Sequence, residues 1–260
     1  MRIVSLAPSN TDILVALGLE SDLVGADDWS DLPPNPDVVR LGGETSIDMA
    51  RLNELKPDLV FSSLSVPGME RVVKGVEALG LKQIVLNPET LDEIYANIFE
   101  VGTLTGKDLE ALNVVQGMHG LANLLRERTL KSGDIPSVYF EWWPDPMMTP
   151  GRRSWVTDMI EIAGGRNVFG LVDERTVTIS RSEVISKEPE AIIICWCGEL
   201  NKKMRMEAIL AREGWDAIPA VKNKRIHRLA ESIAGRPGPR LKDGMKEMFA
   251  FLHPDLAEGM

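Results

Sequence analysis

Six tryptophans and a few charged side chains carry what chemistry this 260-residue chain can offer. Trp29, Trp142, Trp143 and Trp196 each follow closely on a short apolar run that reads as a β-strand. An indole in such a loop gives large, rigid, flat contact area with one hydrogen-bond donor, which suits gripping a bulky, partly apolar molecule. Capping a hydrophobic core is the competing use for any one of them; the coincidence of four favours binding. Glu141 ends the run Val138-Tyr139-Phe140, so its carboxylate must find donors or stay hydrated. Anchoring its own loop and contacting a ligand are both open to it. Arg152, Arg153, Arg236 and Arg240 are candidate donors to amide or carboxylate oxygens. Within Gly235-Arg236-Pro237-Gly238-Pro239-Arg240 the prolines and glycines stiffen the chain, and bracing that loop is the arginines' alternative role.

Catalytic constellations are thin, and no catalytic residue is assigned. Gly102-Thr103-Leu104-Thr105-Gly106-Lys107-Asp108 has the wrong glycine spacing for a phosphate loop and lacks a hydroxyl after the lysine. No dinucleotide glycine pattern, nucleophile elbow or His-Glu-x-x-His helix occurs. Asp27-Asp28-Trp29-Ser30-Asp31 lacks the glycine and distal glutamate of a calcium loop, so turn formation explains it better. The only cysteines, Cys195 and Cys197, flank Trp196 without the partners of a zinc site, and two small buried thiols at a strand end is the favoured reading. His119, His227 and His253 are far apart in sequence and read as solvated or core residues. No metal site and no required cofactor are expected.

Lysine and arginine total 29 against 39 acidic residues, a net charge of −10, which makes nucleic acid and anionic membranes poor partners. No apolar run approaches the roughly 18 residues of a spanning helix. The start, Met1-Arg2-Ile3-Val4-Ser5-Leu6, passes straight into a strand pattern. The chain is therefore expected to be cytoplasmic if Met1 is the native start, and periplasmic or otherwise extracytoplasmic if an export signal was omitted.

The elements that must position these residues alternate. Ile3–Leu6, Leu23–Gly25, Leu59–Phe61 and Gln83–Leu86 read as strands, with amphipathic helices between them. Asn10 is placed to cap the first helix, which stops at Gly18. From Asp108 to Lys131, Leu109, Leu112, Val115, Met118, Leu121 and Leu125 recur at helical steps, predicting one long helix despite Gly117 and Gly120. Ser137–Phe140 and Ala191–Ile194 are then strands, and Trp155–Ile162 and about Leu241–Leu252 helices. The halves echo each other: Leu55-Lys56-Pro57-Asp58 before a strand has its counterpart in Glu188-Pro189-Glu190. Ile13 through Gly18 to Leu23-Val24-Gly25 is matched by Met159 through Gly164 to Val168-Phe169-Gly170, helix, glycine stop and short strand. The expected fold is α/β, two similar Rossmann-like lobes joined by one long rigid helix, with a ligand cleft between them. The boundaries are residues 1–104 for the first lobe, 105–133 for the helix and 134–260 for the second lobe.

Several segments, in order and over nearly the whole chain, resemble the substrate-binding proteins of ABC importers for cobalamin, haem and iron-siderophores, most closely the cobalamin branch. They are Ser5 to Asp12, Asp31-Leu32-Pro33-Pro34, Leu55 to Val60, Glu141 to Gly151, Ala163 to Phe169 and Arg236 to Arg240. The resemblance implies a non-catalytic, monomeric carrier of a corrinoid, which brings its own cobalt. Pro8, Ser9, Asn10 and Trp29 would form the first lobe's wall, and Trp142, Trp143 and the Arg236 loop the opposing one, with Trp196 nearby. Glu44 stands where relatives place a cleft tryptophan. An ABC permease is the implied partner, yet Ala50 and Ser182 occupy the positions of the acids that dock to it, with Glu54 and Glu183 as nearby substitutes. The alternatives are a ferric-siderophore carrier, with haem behind it, and a cytoplasmic corrinoid-handling enzyme or sensor.

Overall fold

The computed structural model describes residues 1–32, 37–196 and 206–258. Its strands are β1 Ile3–Ser5, β2 Leu23–Ala26, β3 Val39–Arg40, β4 Leu59–Ser63, β5 Gln83–Leu86, β6 Ser137–Glu141, β7 Trp143–Pro144, β8 Met147–Pro150, β9 Arg166–Asn167, β10 Thr176–Thr178, β11 Ala191–Ile194 and β12 Ile226–Arg228. The chain divides into two compact units. The first comprises Met1–Pro88, Asp92–Gln116 and Pro237–Pro239, and the second Glu89–Leu91, Gly117–Arg236 and Arg240–Met260.

The first unit holds a five-stranded sheet of order β3-β2-β1-β4-β5, all parallel. The second holds a four-stranded parallel sheet, β12-β11-β6-β9, and a three-stranded antiparallel one, β10-β8-β7. The α/β class is as the sequence predicts, and the reason is visible in β11, whose four apolar residues are all buried. A strand covered on both faces needs apolar side chains on both. The helix Asp108–Ser132 runs unbroken through Gly117 and Gly120, its first residues belonging to the first unit and its remainder to the second. Leu6, Leu41, Leu52, Val60, Val72 and Val76 pack against the first sheet; Tyr139, Phe169, Val184, Ile192, Trp196 and Trp215 form the second core.

The internal echo is physical. The order β2-β1-β4-β5 is repeated as β9-β6-β11-β12, with the same parallel pairings. At the amino edge of each sheet a residue of positive φ, Lys56 or Glu188 (both φ 44°), precedes a proline and an acid. Asp58 accepts the Arg2 N–H at 2.7 Å while its own N–H donates to the Arg2 carbonyl at 2.8 Å. Glu190 accepts from the Ser137 N–H at 2.8 Å and donates to the Ser137 carbonyl at 2.9 Å.

Two local expectations are corrected. The first helix starts at Pro8, with Ala7 as its extended N-cap residue, so Asn10 lies inside it and caps nothing. A proline in the first turn needs no N–H partner, which moves the start upstream and frees the Asn10 amide to donate to the Ser62 carbonyl at 3.0 Å. In the second unit the strand after the glycine stop is Arg166–Asn167, not Val168-Phe169-Gly170. The Asn167 side-chain oxygen accepts the Phe169 N–H at 2.9 Å and turns the chain there.

Candidate functional site

In parallel α/β sheets, loops beyond the carboxyl ends of the strands are where ligands are held. In the first unit these loops are fastened by hydroxyls. Thr11 Oγ1 donates to Ser5 Oγ at 2.7 Å and lies 2.6 Å from Ser30 Oγ, and Ser30 in turn donates to Asp27. All four side chains are buried. The Arg40 guanidinium closes the same loop over Asp27 and Ser30 through their carbonyls, at 2.7 and 2.9 Å. Trp29 rides on this frame. Its N–H donates to Asp27 Oδ2 at 2.8 Å, its indole nitrogen lies against Gly43, and 48% of the residue is exposed. Pro8, Ser9 and Asn10 are buried at the start of the helix that follows β1, and Glu44 is half-buried in the loop after β3.

The second unit's carboxyl edge is built around one carboxylate. Glu141, at the end of β6, is fully buried. Its Oε2 accepts from the Tyr139 hydroxyl at 2.8 Å and Arg212 Nη1 at 2.6 Å; its Oε1 accepts from Trp196 Nε1 and Arg212 Nη2, both at 2.9 Å. Four donors on two oxygens meet the demand of a buried carboxylate. The Arg212 guanidinium also stacks 4.5 Å from the Trp215 ring centre, and Tyr139 meets that ring edge-on at 6.1 Å. Burial first, and the Glu141 charge second, hold the Tyr139 phenol well above its ordinary pKa, so it stays a donor.

Trp142 and Trp143 leave this hub half-buried. Trp142 packs edge-on to Phe140 at 6.4 Å and lies 6.2 Å from Trp155. Trp143 opens β7, and its indole N–H donates to the Asp145 carbonyl at 3.0 Å. Trp196 departs from the expectation of a projecting loop side chain: it is 9% exposed and packs in the core, held there by Glu141. Glu141 likewise spends its carboxylate inside the protein. Arg236 lies 3.7 Å from Glu231, and Arg240 donates to Ser232 Oγ at 3.3 Å. Arg152 pairs with Asp173 and Arg153 with Glu89. Tyr139 and Arg212 belong to this site without having been singled out from the sequence.

Cys195 is a buried residue after β11, and Cys197 lies outside the described residues, as do Pro33 and Pro34. Among the described residues no group of three or more His, Cys, Asp or Glu is arranged to hold a metal, and no helix is long and apolar enough to cross a membrane. Ala50, Glu54 and Ser182 are exposed on short helices. Glu183 is committed to a capping box with Ser180, whose hydroxyl and N–H hold its carboxyl below the ordinary pKa.

A family model described as a periplasmic binding protein matches residues 3–232. An ABC transporter substrate-binding lipoprotein of Bacillus subtilis, YvrC, is 27% identical over 261 residues, covering 98% of this chain and 80% of its own. A vitamin B12-binding protein of Vibrio cholerae is 26% identical over 255 residues, covering 96% of this chain and 88% of its own. A crystal structure of a possible iron-binding, periplasmic solute-binding protein from Staphylococcus epidermidis superposes with a TM-score of 0.83 at 28% identity, over 97% of this chain and 98% of that one.

Proposed function

The chain belongs to the periplasmic binding protein family, non-catalytic solute carriers of the ABC transporter type, and from that premise we propose that its solute is a corrinoid, cobalamin in the simplest case. The observation that carries this reading is the half-buried indole pair Trp142 and Trp143 at the carboxyl edge of β6, in a chain aligned along 96% of its length with a vitamin B12-binding protein. A corrin is a broad, flat ring edged with amides. Rigid aromatic area binds its face at low entropic cost, and polar loop groups take the amides. Trp29, held on its frame of buried hydroxyls, is the first unit's aromatic contact, with Pro8, Ser9, Asn10 and Glu44 around the same strand ends. In the second unit Arg236 adds a donor, while Glu141 and Trp196, bonded to each other in the core, hold the end of β6 from which Trp142 and Trp143 follow. The corrinoid supplies its own metal, so no protein ligand is required. The proposed setting is extracytoplasmic, in keeping with the lipoprotein relative.

The test is titration calorimetry with cobalamin, haem and a ferric hydroxamate siderophore. Saturable binding of cobalamin, with the other two weaker, is expected. The double variant Trp29→Ala/Trp142→Ala should weaken cobalamin at least tenfold, about 1.4 kcal/mol. Absence of cobalamin binding, or an unchanged affinity in the double variant, overturns the reading.

A further inference from the structure

The second unit contains a pocket of about 490 Å³ beside the β7–β8 turn, with Pro144, Met147 and Ile179 among its walls and Asp145, Arg181 and Arg212 as its charged lining. Arg212 in this wall has an unusual allotment of donors. Its side chain is 11% exposed, and the end-on edge of the guanidinium, Nη1 with Nη2, is consumed by Glu141. Guanidinium has a second fork, the side-on edge of Nε with Nη2, which matches a second pair of oxygens. No described residue takes up that edge. Glu141 behind it and Trp215 stacked against it fix the plane, so a ligand meeting this fork would not have to order the side chain first. Arg181, also in the lining, is exposed, and its side chain makes no hydrogen bond or ion pair with any described residue.

Glu141 neutralises Arg212, and the lining carries one further acid, Asp145, beside Arg181, so the pocket is not a general sink for negative charge. Its selectivity lies in directed N–H groups, which favour a compact group with two acceptor oxygens over a diffuse anion. We propose that this pocket is a subsite for an oxyanion arm of the ligand, a phosphate diester or a carboxylate, with Arg212 and Arg181 as its contact residues. The proposal rests on the solute-carrier reading and deepens it. A cobalamin-type corrinoid carries one phosphate diester, in the arm that joins its nucleotide to the ring.

Two measurements test it. In the first, the Nε–Hε resonance of Arg212, assigned through its own side chain, is followed by NMR during titration with dimethyl phosphate, with acetate and with chloride. A saturable shift with one oxyanion and none with chloride is expected, the tighter of the two identifying the arm. Arg181→Ala, a change at an exposed residue, should weaken that saturation at least fivefold. No saturable shift with either oxyanion overturns the subsite. In the second, cobalamin is compared with cobinamide, the corrinoid lacking the phosphate-bearing nucleotide arm. Arg181→Ala should weaken cobalamin about tenfold and leave cobinamide unchanged; equal loss for both overturns the assignment of the arm to this pocket. If neither corrinoid binds, the corrinoid reading fails alone, and the oxyanion titration still decides the subsite.

Discussion

The two units repeat one strand order and one amino-edge turn, yet they hold their carboxyl edges by different chemistry. In the first, Ser5, Thr11 and Ser30 pass short hydroxyl contacts to Asp27, and the aromatic they support, Trp29, stands half in solvent. In the second, a buried ion pair between Glu141 and Arg212 ties together Tyr139 and Trp196, and the aromatics are largely drawn into the core. The repeated part is what any parallel sheet of this order needs. The divergent part lies beyond the carboxyl ends of the strands, the place that parallel sheets of this kind offer to ligands, so the proposed specificity is to be sought in the differences between the units rather than in their shared frame.

The contrast predicts unequal fragility. Glu141→Ala strands the Arg212 guanidinium, 11% exposed, without its counter-charge and should cost about 3–5 kcal/mol of unfolding free energy. Glu141→Met combined with Arg212→Met, which removes both charges, should recover most of that loss. In the first unit Thr11→Val keeps shape and removes a hydroxyl joined to two others, for about 1–2 kcal/mol. Urea unfolding of the three variants checks this. Equal losses from Glu141→Ala and Thr11→Val would erase the distinction between an ionic hub and a hydroxyl frame.

A second pair separates the shared frame from its surroundings. Gly18 and Gly164 both end helices with positive φ, 72° and 79°, and both are followed by the same return of the chain onto the last turn. A Cβ at Gly18 would meet nothing within 4 Å; at Gly164 it would fall 2.4 Å from Thr129 Oγ1 and 2.6 Å from His253 Nε2. Gly18→Ala should therefore cost only the left-handed backbone term, about 1–2 kcal/mol. Gly164→Ala adds overpacking against Thr129 and His253 and should reach about 3–4 kcal/mol. Thermal or urea unfolding that gave both glycines the same cost would mean that the second unit yields around the new methyl.

Local pattern made most of the frame legible. The run Ala191–Ile194 reads as a strand buried on both faces because it is short, rich in β-branched residues and preceded by a Pro-acid turn. The recurrence from Leu109 to Leu125 reads as a helix because its three- and four-residue steps follow the helical period. The Pro-acid turns were legible as a repeat because their residues are contiguous. The site was legible only in part. Trp29, Trp142 and Trp143 stand after strands, where the pattern puts them. The fate of Glu141 and Trp196 depended on Arg212, which lies 71 residues beyond Glu141 in a stretch with no strand to flag it. A buried carboxylate after an apolar strand announces that donors exist somewhere; only the fold says which. Asn10 reads locally as the cap of the first helix, whereas its amide donates to the Ser62 carbonyl 52 residues away. Asn167 turns the chain by a local bond, its side-chain oxygen accepting the Phe169 N–H, which the apolar pair Val168-Phe169 obscures.

The smallest effect tests the repeat itself. Glu190 accepts hydrogen bonds from the Ser137 backbone N–H and hydroxyl, the first of which does most to hold its carboxyl below the ordinary value of 4.5. Because its folded pKa lies below the unfolded one, Glu190 binds protons less readily in the folded chain. Its contribution is present above about pH 4.5 and is lost as the pH falls through the folded value. Glu190→Gln keeps an acceptor oxygen but does not titrate. The urea midpoint of the variant should start slightly lower than wild type at pH 6 and converge with it on acidification below about pH 4.5. Much of the carboxylate is hydrated, so the gap is small throughout. A gap that widens on acidification would reverse the sign of the linkage. It would also mean that the acid of the second amino-edge turn is not the N–H acceptor that makes it the counterpart of Asp58.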